Sequence, residues 1–182
     1  MKERIEIYDD LVPLSIQDSI ENLTTSKDIN WNYHKNIVKN LEENPNLPYI
    51  PGFSHYLINL LTREVDMDYA FFYLQPLYLL INYLNLTLDK IIVSRLFFQI
   101  PSNIDFRLDP HVDMPDPHLV CLYYINDSDG DTIFFNGENE IKRVSPKKGR
   151  IVFFDGSIKH SAGIPKNSPR FILNTSFIQS NI

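Results

Sequence analysis

From His111 to Phe135 the chain reads "HVDMPDPHLVCLYYINDSDGDTIFF". Within it a short apolar and aromatic run, Leu119 to Ile125, gives way to "DSDG", turn chemistry with a glycine free to take positive φ, and then to a second run, Thr132 to Phe135. The same texture continues on both sides. "IIVSRLFFQI" (91–100) precedes the stretch, and "EIKRV", "RIVFF", "KHSAG" and "RFILNTSFI" follow it, with "PKKG" as a further turn. Seven or eight short strands from Lys90 onward predict a sandwich or barrel.

The first half has a different period. "SIQDSIENL" places Ser15 three residues before Asp18, a start like a capping box, and puts Ile16, Ile20 and Leu23 on one helical face. After the loop "NPNLPYIPG" (44–52), Phe53, Tyr56, Leu57, Leu60 and Leu61 repeat at helical spacing and predict a second helix. The third expected helix runs from Tyr69 to Leu88, kinked or started at Pro76. The resulting expectation is a single domain, 1–182, of the α+β, mainly β class. Residues 1–89 form a mainly helical support region, and residues 90–182 form a double-stranded β-helix (jelly-roll or cupin-like) core with the helical layer packed on its major sheet.

Composition narrows the functional classes. A chain of 182 residues with 43% apolar content is long enough to bury one ordinary core. Its 17 basic and 23 acidic residues, a net charge of -6, argue against binding nucleic acid by broad phosphate neutralisation. One cysteine, Cys121, cannot form an internal disulfide, so a reducing compartment is expected, and no basic, apolar leader follows Met1; the expected location is cytoplasmic. The Tyr69–Leu88 stretch has spanning length, but Gln75, Pro76, Asn82 and Asn85 suit a helix buried against a sheet better than a bilayer segment.

His111 and Asp113 raise the chemical question. On a strand, residues two apart project to the same side, so the pair can meet one metal ion while Val112 faces away. A pair alone is weak, and the remaining histidines are His34, His55, His118 and His160. His160 sits in "RIVFFDGSIKHSAG", in a late strand after a core-crossing run, and is the best third ligand. His118, at a strand start, suits a hydrogen-bonded or solvent role. Two imidazoles and a carboxylate on one face of an octahedral ion leave positions for substrate and oxygen, the arrangement suited to non-haem Fe(II). Arg170, at the head of the last strand, can grip a carboxylate through both prongs of its guanidinium.

The order His111-x-Asp113, "YYIND" with "DGDTIFF", then "GRIVFFDGSIKHSAG" with Arg170 resembles the 2-oxoglutarate- and Fe(II)-dependent oxygenases, most closely their prolyl 4-hydroxylase-like branch. The resemblance covers Ile91 to Ile178, with a weaker echo in "IEIYDDLVPLSIQDSIENL" and "WNY" of small microbial and viral members. It implies His111, Asp113 and His160 as iron ligands, Arg170 as the partner of the distal carboxylate of 2-oxoglutarate, and Tyr124 as a second hydrogen bond to that carboxylate. It further implies O2 as cosubstrate, ascorbate as an accessory reductant, and hydroxylation of a C–H bond with release of succinate and CO2. The expected substrate is a prolyl residue of a peptide or protein, with a small molecule as the other class. Asp113 favours hydroxylation over halogenation, because the family's halogenases lack that carboxylate. Departures are Ile100, where a tyrosine is common, Asp131 in place of a glutamate in the turn, and Ile172, which removes an Arg-x-Ser pairing.

Two other classes compete. A cupin-like module could hold metal or 2-oxoglutarate without turnover. A nucleic-acid demethylase ranks lower, since Ser176 stands where that branch adds a second arginine. Met114 to Pro117, Arg95, Phe98 and the Trp31 region are the candidate substrate determinants.

Overall fold

The computed structural model describes residues 4–38 and 46–180. Ten strands and three helices follow in the order β1 (Ile5–Tyr8), α1 (Leu14–Thr24), β2 (Asn32–His34), β3 (Gly52–Ile58), α2 (Ala70–Tyr73), α3 (Gln75–Leu84), β4 (Leu88–Gln99), β5 (Leu119–Tyr124), β6 (Thr132–Asn136), β7 (Asn139–Val144), β8 (Ile151–Asp155), β9 (Lys159–Ala162) and β10 (Arg170–Gln179). Seven strands make one antiparallel sheet, in the order β1-β8-β5-β10-β4-β3-β2. The other three, β7-β6-β9, make a smaller sheet facing it. This is the expected double-stranded β-helix.

The central strands look continuously apolar because both of their faces are buried. On β5, Val120, Leu122 and Tyr124 point between the sheets, where they join Phe134, Val144, Val152, Phe154 and Ile172. Cys121 and Tyr123 point the other way, into a second cluster with Ile151, Phe153 and Phe177 that the helices cover. Leu77 and Leu80 of α3 and Ile20 of α1 complete that cluster, and Ile16 and Leu23 pack at its edge. Lys148 ties α1 to the β7–β8 turn through Asp18 and Glu21, and Arg150 reaches Asp9 at 2.6 Å.

Helix α1 lies where its stripe predicts, but its cap differs. Pro13 occupies the N-cap without a side-chain bond, Ser15 lies inside the helix, and Asp18 pairs with Lys148 instead. The long third helix is broken as its proline requires: α2 stops at Tyr73, and α3 starts afresh with Pro76 in its first turn. No helix among the described residues is long and apolar enough to cross a membrane.

The expected second helix is a strand. Phe53, Tyr56 and Leu57 lie in β3, paired with β4 in the registers Phe53↔Phe98 and Tyr56↔Arg95. Leu60 and Leu61 lie in the turn that follows, where Leu61 is exposed. With β1 and β2 also in the large sheet, the 1–89 region is mixed rather than mainly helical. The first residues of the expected 44–52 loop, Asn44 and Pro45, lie outside the described residues.

Candidate functional site

The site opens between the two sheets, in a cavity of about 390 Å³. His160 is the second residue of β9. His111 is placed beside it by a single antiparallel bridge in which the two histidines exchange both backbone hydrogen bonds, at 3.0 and 2.9 Å. The strand geometry expected for His111 and Asp113 is therefore limited to one bridging residue, and Asp113 follows in a bend. The side chains nonetheless converge. Asp113 Oδ1 lies 3.8 Å from Nε2 of His111 and 3.8 Å from Nε2 of His160, and all three donor atoms fall within 4.8 Å of one another.

The surroundings fit this trio to a metal ion. His111 Nδ1 donates to the Asp109 carbonyl at 3.0 Å, and His160 Nδ1 donates to the Ile158 carbonyl at 3.2 Å. A carbonyl only accepts, so both protons are fixed on Nδ1 and both Nε2 lone pairs face Asp113. Asn174 Nδ2 donates to Asp113 Oδ2 at 2.9 Å, which leaves Oδ1 for the centre. Burial alone would raise the Asp113 pKa, but His160, the Asn174 hydrogen bond, His111 and Arg95 outweigh it and hold the carboxyl below its ordinary value. Burial pushes the His160 imidazole down, with Asp113 acting in the opposite sense. Both shifts favour the protonation states that ligate.

Arg170 begins β10 and is 2% exposed. Nη1 donates to Gln99 Oε1 at 2.9 Å and Nη2 to Thr132 Oγ1 at 2.8 Å, while Nε has no partner. No carboxylate among the described residues pairs with it, and burial lowers its pKa. An unpaired guanidinium walled into a cavity is costly unless an anion joins it. Gly130 makes the space: a Cβ there would come within 2.9 Å of both Arg170 Cδ and the Gly163 carbonyl. Gly130 is thus needed for close approach rather than for positive φ, whereas Gly149 of the "PKKG" turn does take φ +81.

Tyr124 sits one layer back. Its hydroxyl, fully buried, donates to Thr132 Oγ1 at 2.6 Å, and Thr132, not Tyr124, lines the cavity. Thr132 Oγ1 already accepts from Tyr124 and Arg170, so its own proton is left to donate into the cavity. Sequence reasoning missed Thr132, Gln99 and Asn174. Gln99 sits level with Arg170 in the β4–β10 register, a pairing that the sequence does not display.

The other histidines are accounted for elsewhere. His34 lines the cavity mouth but bonds Ser54 Oγ at 2.7 Å. His55 pairs with Asp66 at 3.0 Å. His118 bonds the Asp116 carbonyl at 2.7 Å and packs where a side chain at Gly156 would stand. Cys121 is buried, and burial pushes its thiol up to about 12, so it is inert as a nucleophile.

No family model matches the sequence, and no curated protein matches it. Solved structures do match the fold. A prolyl-4-hydroxylase from Pseudomonas putida superposes with a TM-score of 0.65 at 15% identity, over 99% of this chain and 95% of that one. A prolyl hydroxylase from Trichoplax adhaerens, in complex with a hypoxia inducible factor oxygen degradation domain peptide fragment, gives 0.65 at 13% identity, over 96% of this chain and 83% of that one. The non-heme alpha ketoglutarate dependent epimerase from nogalamycin biosynthesis gives 0.66 at 11% identity, over 97% and 79%.

Proposed function

We propose that this chain is a 2-oxoglutarate- and Fe(II)-dependent oxygenase that hydroxylates a C–H bond, with a prolyl residue of a peptide or protein as the first substrate class to test. The observation that carries the reading is the sharing of one cavity by two complementary devices: a His111–Asp113–His160 donor set and the buried, unpaired guanidinium of Arg170. The likeness in fold to prolyl hydroxylases and other 2-oxoglutarate enzymes supports it.

His111, Asp113 and His160 would hold Fe(II) through Nε2, Oδ1 and Nε2. The bound ion, with 2-oxoglutarate and O2, supplies an oxidative decarboxylation that yields succinate and CO2 and places one oxygen atom in the substrate C–H bond. Arg170 takes the distal carboxylate, and Thr132 donates beside it. Asn174 keeps the Asp113 carboxylate turned toward the histidines. Leu122, Phe154 and Ile172 line the same cavity and keep water from the reacting centre.

The test is anaerobic reconstitution with Fe(II), followed by a succinate assay with 2-oxoglutarate and oxygen, comparing wild type with His160→Ala and Arg170→Ala. Wild type is expected to form succinate slowly without substrate and both variants to lose it. A wild type that binds metal but neither binds nor consumes 2-oxoglutarate is a cupin-like binding module, and the oxygenase reading then falls.

A further inference from the structure

A second arginine faces this centre from the opposite end. Residues 95, 97 and 99 of β4 alternate onto the cavity side, so Gln99 meets Arg170 at the end of the strand and Arg95 stands four residues earlier, in mid-strand. Across the sheet Arg95 is in register with Asn174, the residue that holds Asp113, whereas Gln99 is in register with Arg170. Four strand residues separate the two levels, about 13 Å at the usual rise. Arg95 thus stands at the Asp113 level of the cavity, away from the Arg170 end where the distal carboxylate of 2-oxoglutarate would lie.

Arg95 forms no ion pair among the described residues, although it acts on Asp113 at longer range. Nη1 donates to the Tyr56 hydroxyl at 2.7 Å, and the guanidinium carbon lies 3.8 Å above the Phe97 ring. Its Nε is buried without a partner. Among the described residues no carboxylate lies within ion-pair distance, and nearby Asp113 is committed to the donor set. Stacking on Phe97 and the bond to Tyr56 fix the plane of the fork and leave its free edge to a ligand. Beyond Asp113 a second concavity of about 390 Å³, walled by Tyr56, Asn59, Leu60, Val93 and Met114, shares Arg95, Asp113 and Asn174 with the main cavity.

We infer that Arg95 is the substrate-side anion handle, and that the substrate carries a carboxylate which Arg95 grips while the C–H bond to be oxidised lies over the metal centre. The inference rests on the oxygenase reading and narrows it. The carboxylate belongs either to a free amino acid or to the C-terminus of a short peptide. A single guanidinium in a chain of net charge -6 suits such a monoanion and not a polyphosphate backbone.

Calorimetric titration of the protein loaded with Mn(II) and 2-oxoglutarate, using the twenty L-amino acids, the dipeptide Ala-Pro and the amide of each, tests this. At least one free acid binds, and in the Fe(II) protein it accelerates succinate release, while its amide binds at least tenfold more weakly. Arg95→Leu brings the acid down to the affinity of the amide, Arg95→Lys restores part of it, and the dissociation constant for 2-oxoglutarate stays within twofold in both. Tyr56→Phe, which removes only the Nη1 partner, gives an intermediate loss and guards against a folding artefact. Binding by an amino acid but not the dipeptide selects the free metabolite, and the reverse selects a peptide end. Equal binding of acid and amide, binding by none of the acids, or a loss of 2-oxoglutarate affinity in Arg95→Leu overturns the inference. Failure of wild type to bind 2-oxoglutarate, seen before any of these compounds is added, takes down the oxygenase reading itself.

Discussion

Thr132 Oγ1 receives hydrogen bonds from Tyr124 and Arg170 at once, so one hydroxyl sets both the rotamer of the cation and the direction of its own proton. Thr132→Val removes that proton and leaves Arg170 Nη2 without its acceptor, while the Tyr124 hydroxyl keeps the Val144 carbonyl at 3.3 Å. The KM for 2-oxoglutarate is expected to rise about tenfold, the equivalent of one hydrogen bond to a charged group. Tyr124→Phe acts one layer away: it costs about 1 kcal/mol of stability in denaturant melts and moves KM less than Thr132→Val does. Gly130→Ala pushes against Arg170 Cδ and the Gly163 carbonyl, and its main effect falls on 2-oxoglutarate affinity rather than on metal affinity, measured by parallel titrations. The residues that converge on the cavity, His111, Asp113, His160 and Arg170, were legible in the sequence because the side chains proposed to hold a metal and an anion are drawn from few residue types. Thr132 and Gln99 were not, since threonine and glutamine serve many ends and only the register Arg170↔Gln99 and the turn before β6 give them this one. Tyr124 was placed against the ligand by resemblance, and the structure moves it behind Thr132 because the inward face of β5 is packed shut between the sheets at that level.

At the scale of elements, β3 shows where pattern reading is ambiguous. Apolar residues at 53, 56, 57, 60 and 61 fit a helical stripe, yet "GFSHYLI" also fits a strand, and the open edge of β4 decides between them by supplying six paired residues. Short apolar segments carry too little periodicity to settle this without knowing what lies beside them. The β-rich half was readable because "DSDG" and "PKKG" cut it into strands too short to be helices. The end of α3 offers a local test. Asn85 closes that helix at φ 53, ψ 44, a left-handed conformation that asparagine tolerates and alanine resists. Asn85→Ala is expected to destabilise the protein by about 1 kcal/mol, while Asn85→Gly is neutral or slightly stabilising, both read from chemical denaturation midpoints at constant slope.

For the whole molecule, the site is a seam. His160 belongs to the small sheet, and Arg170 belongs to the large one. His111 and Asp113 lie on the connection between β4 and β5, bridged to β9 on one side and held by Asn174 of β10 on the other. The seam brings one carboxylate and two guanidinium groups into a partly closed space, at a cost to stability that ligands binding there would relieve. Ligands that bind only the folded chain must therefore raise its stability, by about 2.7 kcal/mol at a hundredfold excess over the dissociation constant. For a chain of this size that corresponds to a rise in Tm of about 5–10 °C. Mn(II) alone is expected to give one increment and 2-oxoglutarate added with Mn(II) a second, measured by thermal unfolding in the absence of oxygen. Arg170→Met should keep the first increment and lose the second, because the donor trio is intact while the carboxylate has no partner. His160→Ala should lose both, because a ligand set reduced to one imidazole and one carboxylate no longer joins the small sheet to the large one.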